Sequence, residues 1–128
     1  MPAVRTSLLL LSLAGFGSCQ LIPIWQILSG SEYCQLTNNG GCVTDGVGNH
    51  GNLERCDVLA TRPLYATATY FSTEPNYDRI VLGGLGYSGS TGPMNVFMAP
   101  GSSFSWYTDG GVTRGGFTIC GTSTPMVM

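Results

Sequence analysis

Apolar and polar positions alternate along LYATATYF (64–71), with Tyr65, Thr67, Thr69 and Phe71 on one side and Leu64, Ala66, Ala68 and Tyr70 on the other. That two-residue period belongs to a β-strand with two unlike faces. RIVLG (79–83), MNVFMA (94–99), SFSWYT (103–108) and GFTIC (116–120) are further short strand-forming runs, separated by segments rich in Gly, Pro and Ser. No stretch keeps a helical apolar period for four turns, and no internal repeat is visible. Short strands at close intervals predict an all-β fold, a sandwich of antiparallel strands with Phe104 and Trp106 together on a core face.

The remaining segments read differently. In LIPIWQILSGSEY (21–33) Pro23 disfavours a regular helix, so residues 20–33 are expected to form an extended lead-in packed on the sheet through Ile24, Trp25 and Ile27. CQLTNNGGCVTDGVGNHGNLERC (34–56) carries Asn-Gly, Gly-Gly and Asp-Gly pairs suited to tight turns; it reads as a loop held by its cysteines, with His50 in a flexible Gly-Asn stretch. The sandwich domain is expected over 34–121, and TSTPMVM (122–128) reads as a frayed tail.

The chain opens with MPAVRTSLLLLSLAGFGSCQ: one positive charge at Arg5, an apolar stretch over 8–16, then small residues. That is the layout of a secretory signal peptide over 1–19, and its apolar run falls far short of the ~20 residues of a spanning helix. The other readings are a buried N-terminal helix or strand and a lipoprotein acylated at Cys19, the latter disfavoured by Phe16. Cleavage after Cys19 would leave Cys34, Cys42, Cys56 and Cys120, an even count that reads as two disulfides in an oxidising compartment. A secreted, extracellular protein without a membrane span is the expectation.

At 128 residues and 43% hydrophobic content, the chain fits a single domain with one modest core. It has no lysine and a net charge of −2, and its five arginines are scattered, so nucleic acid is a poor partner. The glycine clusters GGLGYSG (83–89) and DGGVTRGG (109–116) lack the Lys-Ser/Thr and following helix of a phosphate loop. His50 has no nucleophile signature near it, and no C-x₂-C spacing supports zinc, so no catalytic constellation is visible and an enzyme is not expected. Tyr87 and Tyr107 are candidates for a solvent-facing ligand surface.

FSTE (71–74), YDRIVL (77–82), YSG (87–89), WYTD (106–109) and GGFTIC (115–120) occur in an order and spacing that resemble a CUB domain, an extracellular jelly-roll-like sandwich, over residues 42–120. GNHGNLERC (48–56) is similar to that family's approach to its first strand, in degraded form. One family disulfide would need cysteines near Pro75 and at Ser88; both are missing, and Cys42 and Cys120 are added. Beside that resemblance, Cys34–Cys56 with Cys42–Cys120 is the preferred pairing, although four cysteines allow three connectivities.

In calcium-binding members of the resembled family, carboxylates at the positions of Glu74, Asp78 and Asp109 converge at one end of the sandwich. The resemblance therefore implies a weak Ca²⁺ site built from hard oxygen ligands on separate loops. The competing reading is that Asp78 and Asp109 cap turns while Glu74 is solvated, and Asp109 before Gly110-Gly111 suits it. Two functions are carried forward. One is a secreted binding module recognising protein or carbohydrate through loops at the acidic end; the other is a structural or matrix protein assembling through an exposed LIPIWQIL segment.

Overall fold

The computed structural model describes residues 23–127. The signal-peptide expectation, its cleavage site and Cys19 lie outside them. The described chain forms ten strands: β1 (Trp25–Ser29), β2 (Gln35–Thr37), β3 (Cys42–Thr44), β4 (Arg55–Ala60), β5 (Leu64–Ser72), β6 (Arg79–Leu82), β7 (Leu85–Tyr87), β8 (Val96–Met98), β9 (Ser103–Tyr107) and β10 (Gly116–Thr122). They make two five-stranded antiparallel sheets, in the orders β1-β4-β9-β6-β7 and β2-β3-β10-β5-β8. The protein is an all-β sandwich.

Alternation along each strand builds the core. Cys56, Val58 and Ala60 of β4, Phe104 and Trp106 of β9, and Ile80 and Leu82 of β6 face inward from the first sheet; Val43, Leu64, Ala66, Phe117 and Ile119 face inward from the second. Aromatic rings join the two layers. Trp25 meets Phe104 edge-on at 5.4 Å between centroids, Phe104 meets Phe117 at 6.1 Å, and Phe117 meets Trp106 at 5.0 Å. Such pairs add ~0.5–1.5 kcal/mol each beyond the area they bury.

The five expected strands are all present within two residues of their expected limits. Of the other five, β1 lies in the segment read as lead-in, β2 and β3 in the segment read as loop, and β4 and β7 cover residues where no strand was expected. The lead-in is a true edge strand: β1 pairs with β4 from Trp25↔Ala60 to Ser29↔Asp57, and Trp25 is 1% exposed with its indole N–H donated to the Gly41 carbonyl (3.0 Å). Ile24 and Ile27 pack against the core, while Leu28 is exposed. Within 34–56 the chain makes β2 and β3, and β4 begins at Arg55. Gly83 and Gly84, at φ +62° and +81°, form the two-residue turn that pairs β7 with β6, since only glycine adopts that pair of angles without strain. The tail is tied down at Met126, whose N–H and carbonyl bond the Asn95 side-chain amide at 2.8 and 2.9 Å.

Disulfides join Cys34 to Cys56 and Cys42 to Cys120. The first staples the residue preceding β2 of one sheet to β4 of the other. The second links β3 and β10, where the two cysteines are direct cross-strand partners. Loops of 22 and 78 residues correspond to ~3 and ~4.5 kcal/mol of restricted unfolded-chain freedom in the chain-entropy account. Two intramolecular disulfides indicate an oxidising environment.

Candidate functional site

Three loops meet at one end of the sandwich. The β5–β6 turn is closed by the Tyr77 and Asp78 N–H groups, both donated to the Glu74 carbonyl (3.2 and 3.1 Å), with Asn76 at φ +71°. Thr73 anchors it: its hydroxyl donates to the Asp78 carbonyl at 2.8 Å and accepts the Gly89 N–H at 2.9 Å. This turn puts Glu74 and Asp78 on one side. After β9, Asp109 joins them, its N–H donated to Asp78 Oδ1 at 3.0 Å and its carbonyl accepting the Leu53 N–H of the third loop at 2.9 Å.

One oxygen each from Glu74, Asp78 and Asp109 lie within 4.8 Å of one another. Ca²⁺–oxygen distances of about 2.3–2.6 Å require two ligands of one ion to lie no more than ~5.2 Å apart. The triad meets that limit. Both sequence readings find an observation here, because Asp109 Oδ1 also accepts the Gly111 N–H (2.9 Å) and Asp78 Oδ1 caps Asp109. Capping still leaves oxygens over. Glu74 Oε1 and Asp78 Oδ2 are buried with no hydrogen-bond donor among the described residues, and Asp78 as a whole is 0% exposed. A donor set of carboxylate oxygens, two of them unsatisfied, fits a hard cation.

His50 adjoins the triad, contrary to its reading as part of a flexible loop. It is 3% exposed, lies edge-on to Trp106 at 5.3 Å, and places Nε2 3.2 Å from Asp78 Oδ2. That contact is not a hydrogen bond. His50 Nδ1 carries the proton given to the Gly51 carbonyl (2.8 Å), while Nε2 accepts the Arg114 N–H (3.2 Å) and has none left for the carboxylate. Asp78 Oδ2 therefore faces a lone pair.

Two more acids complete the region. Glu54 accepts the Trp106 indole N–H (3.0 Å) and the Gly51 N–H (2.6 Å), fixing the third loop to the core. Asp45, just after β3, accepts the Phe117 N–H with Oδ1 (2.9 Å) and buries Oδ2 without a donor. Burial pushes its pKa up to about 6 against the Phe117 hydrogen bond that lowers it; Glu54 adds to the rise and His50 opposes it.

Tyr87 and Tyr107 do not share a surface. Tyr107 pairs with Arg79 and Tyr87 with Ile80, and neighbouring residues of β6 point to opposite faces. Tyr87 packs on the core, whereas Tyr107 lies on the outer face between Arg55, 4.6 Å from its ring centroid, and Arg79, at 5.5 Å. The exposed apolar residues on the triad's own loops are Leu53, Tyr77 and Val112, which sequence reasoning missed. Tyr77, inside the Glu74–Asp78 turn, had a signal: a large aromatic flanked by turn residues has no core to enter. The chain matches no protein-family model, no curated protein and no solved structure.

Proposed function

We propose that this chain is a secreted, non-enzymatic binding module of CUB type, in which Glu74, Asp78 and Asp109 hold a calcium ion and the loops around them recognise an extracellular protein or carbohydrate. The observation carrying this reading is the convergence of the three carboxylates within 4.8 Å, with two buried oxygens lacking donors. A bound Ca²⁺ supplies the positive charge those oxygens lack and ties the β5–β6 turn to the loop after β9. Support for secretion comes from the two disulfides and the signal-like N-terminus. The reading as CUB type rests on the order and spacing of the motifs over 42–120, and an all-β two-sheet sandwich is compatible with it. Leu53, Tyr77 and Val112 supply an apolar rim beside the acids, the composition of a surface that desolvates a partner.

Millimolar calcium against chelator, read by thermal shift, tests the proposal. The wild type is expected to melt higher with calcium. Asp109→Asn removes one charged ligand while keeping the side-chain oxygen that bonds Gly111, so its calcium response should vanish with little change in the chelator-treated melting temperature. A wild-type protein indifferent to calcium would refute the metal site.

A further inference from the structure

A cavity of about 240 Å³ opens on the outer face of the second sheet, separate from the carboxylate triad. Its base is a single cross-strand row, Thr44 of β3, Thr118 of β10 and Tyr70 of β5, in direct register. One wall is the loop holding Gly48 and Asn49; the other is Gly115. The register of β10 against β5 slips between Thr118 and Ile119, so that Thr69 and Tyr70 together face Thr118 and both are exposed. A bulge of this kind re-aims a side chain. Here it lays the Tyr70 phenol across the backbone of Gly115, where any Cβ would collide with the ring. Tyr70 is 51% exposed, leaving an aromatic face open to a ligand.

The chemistry of the lining is specific. No charged side chain lines the cavity. The Thr44 hydroxyl is engaged, donating to the Phe117 carbonyl and accepting the Gly46 N–H. The Thr118 hydroxyl, the Tyr70 hydroxyl and the Asn49 amide, by contrast, have no partner among the described residues, and they offer both donors and acceptors. Gly48, at φ +80°, keeps the rim low, and a Cβ there would meet no atom within 4 Å. The volume is below the ~300–1,000 Å³ of sites for drug-sized ligands and suits one small ring. The carboxyl of Asp45, between Thr44 and Gly46 in the chain, disfavours an anion.

An aromatic face beside unused hydroxyl and amide groups, without charge, matches a molecule with one apolar C–H face and a hydroxylated edge. We infer that this cavity binds a single ring of a neutral sugar, stacked on Tyr70 and hydrogen-bonded by Thr118 and Asn49. The site goes beyond the calcium proposal and does not depend on it.

The test is amide chemical-shift mapping of the protein as secreted, titrated with the methyl glycosides of glucose, galactose, mannose and N-acetylglucosamine. Saturable shifts at Asn49, Gly115 and Thr118 with at least one of them are expected. Tyr70→Ala should weaken binding about tenfold, Tyr70→Phe less, and Gly115→Ala should also weaken it by displacing the ring. Thr118→Val repeats the test should Tyr70→Ala fail to fold. All these variants should keep the calcium response of the wild type, and Asp109→Asn should keep the sugar response, so failure at one site is distinct from failure at the other. The inference is overturned if none of the four glycosides shifts these amides, or if folded Tyr70→Ala binds as tightly as the wild type.

Discussion

The contribution of Asp45 to stability falls as pH rises from acid to neutral, a direction opposite to that of a paired carboxylate. Its carboxyl is held above its ordinary value of 3.8, at about 6, chiefly by burial. Between those limits the native protein binds a proton that the unfolded chain has lost, so the contribution is fully present below about pH 4 and is lost as pH passes 6. Roughly two pH units at ~1.36 kcal/mol each give an upper figure of ~3 kcal/mol. The carboxyl is only partly buried, and solvent screening reduces this to about 1–2 kcal/mol. Asp45→Asn keeps an acceptor for the Phe117 N–H and removes the titration. Denaturant unfolding of both proteins from pH 4 to 7.5 should therefore show the wild type losing about 1–2 kcal/mol relative to the variant. Asp57, whose pKa is lowered by the Ser105 and then the Ser29 hydroxyls, acts in the other direction at lower pH and is common to both. Parallel profiles for wild type and Asp45→Asn would refute the assignment.

Reducing both disulfides should lower stability by several kcal/mol, with Cys42–Cys120, which closes the longer loop, contributing the larger share; Cys42→Ala/Cys120→Ala against Cys34→Ala/Cys56→Ala, compared by denaturant midpoint, checks the order. Leu53 sits at φ +56° with its side chain 72% exposed, a backbone region that costs a branched apolar residue ~1–2 kcal/mol. Leu53→Asn should accordingly raise stability by about 1 kcal/mol, and the same variant should bind a protein partner less well if the apolar rim is part of the interface.

The sandwich was legible wherever side-chain alternation stood alone. SFSWYT announces its faces because its inward residues are apolar and its outward residues mostly polar; in LYATATYF the bulge opposite Thr118 breaks the expected alternation, sending Phe71 into the core with Leu64 and Ala66 and leaving Tyr70 exposed. RCDVLA conceals the same alternation: Cys56, Val58 and Ala60 enter the core, but the strand directly follows a turn-rich stretch that dominates the local reading. QLT and CVT are three-residue strands that pair with each other, and only CVT's pairing with the distant β10 joins them to the sheet. No local pattern encodes that. The triad was legible through its resemblance and its spacing across the β5–β6 turn. Asp45 and His50 were not, because their burial comes from contacts with Phe117, Trp106 and Arg114, more than fifty residues away in the chain.

Charge placement sets the acidic end apart from the arginines. Arg79 follows Asp78 in sequence and could have neutralised it in a different fold. Strand alternation prevents this, turning Asp78 into the protein and sending Arg79 to the outer face, where it and Arg55 flank the Tyr107 ring. Arg55 also donates to the Tyr107 hydroxyl at 3.2 Å. His50 is the one cationic side-chain type within ion-pair distance of a carboxylate among the described residues, and its Nε2 is already bonded to the Arg114 N–H. Glu74, Asp78 and Asp109 thus share a corner in which His50 is the one neighbouring side chain of cationic type among the described residues. A like-charged cluster costs folding free energy unless a cation joins it, and the same three residues provide the oxygens that would receive one.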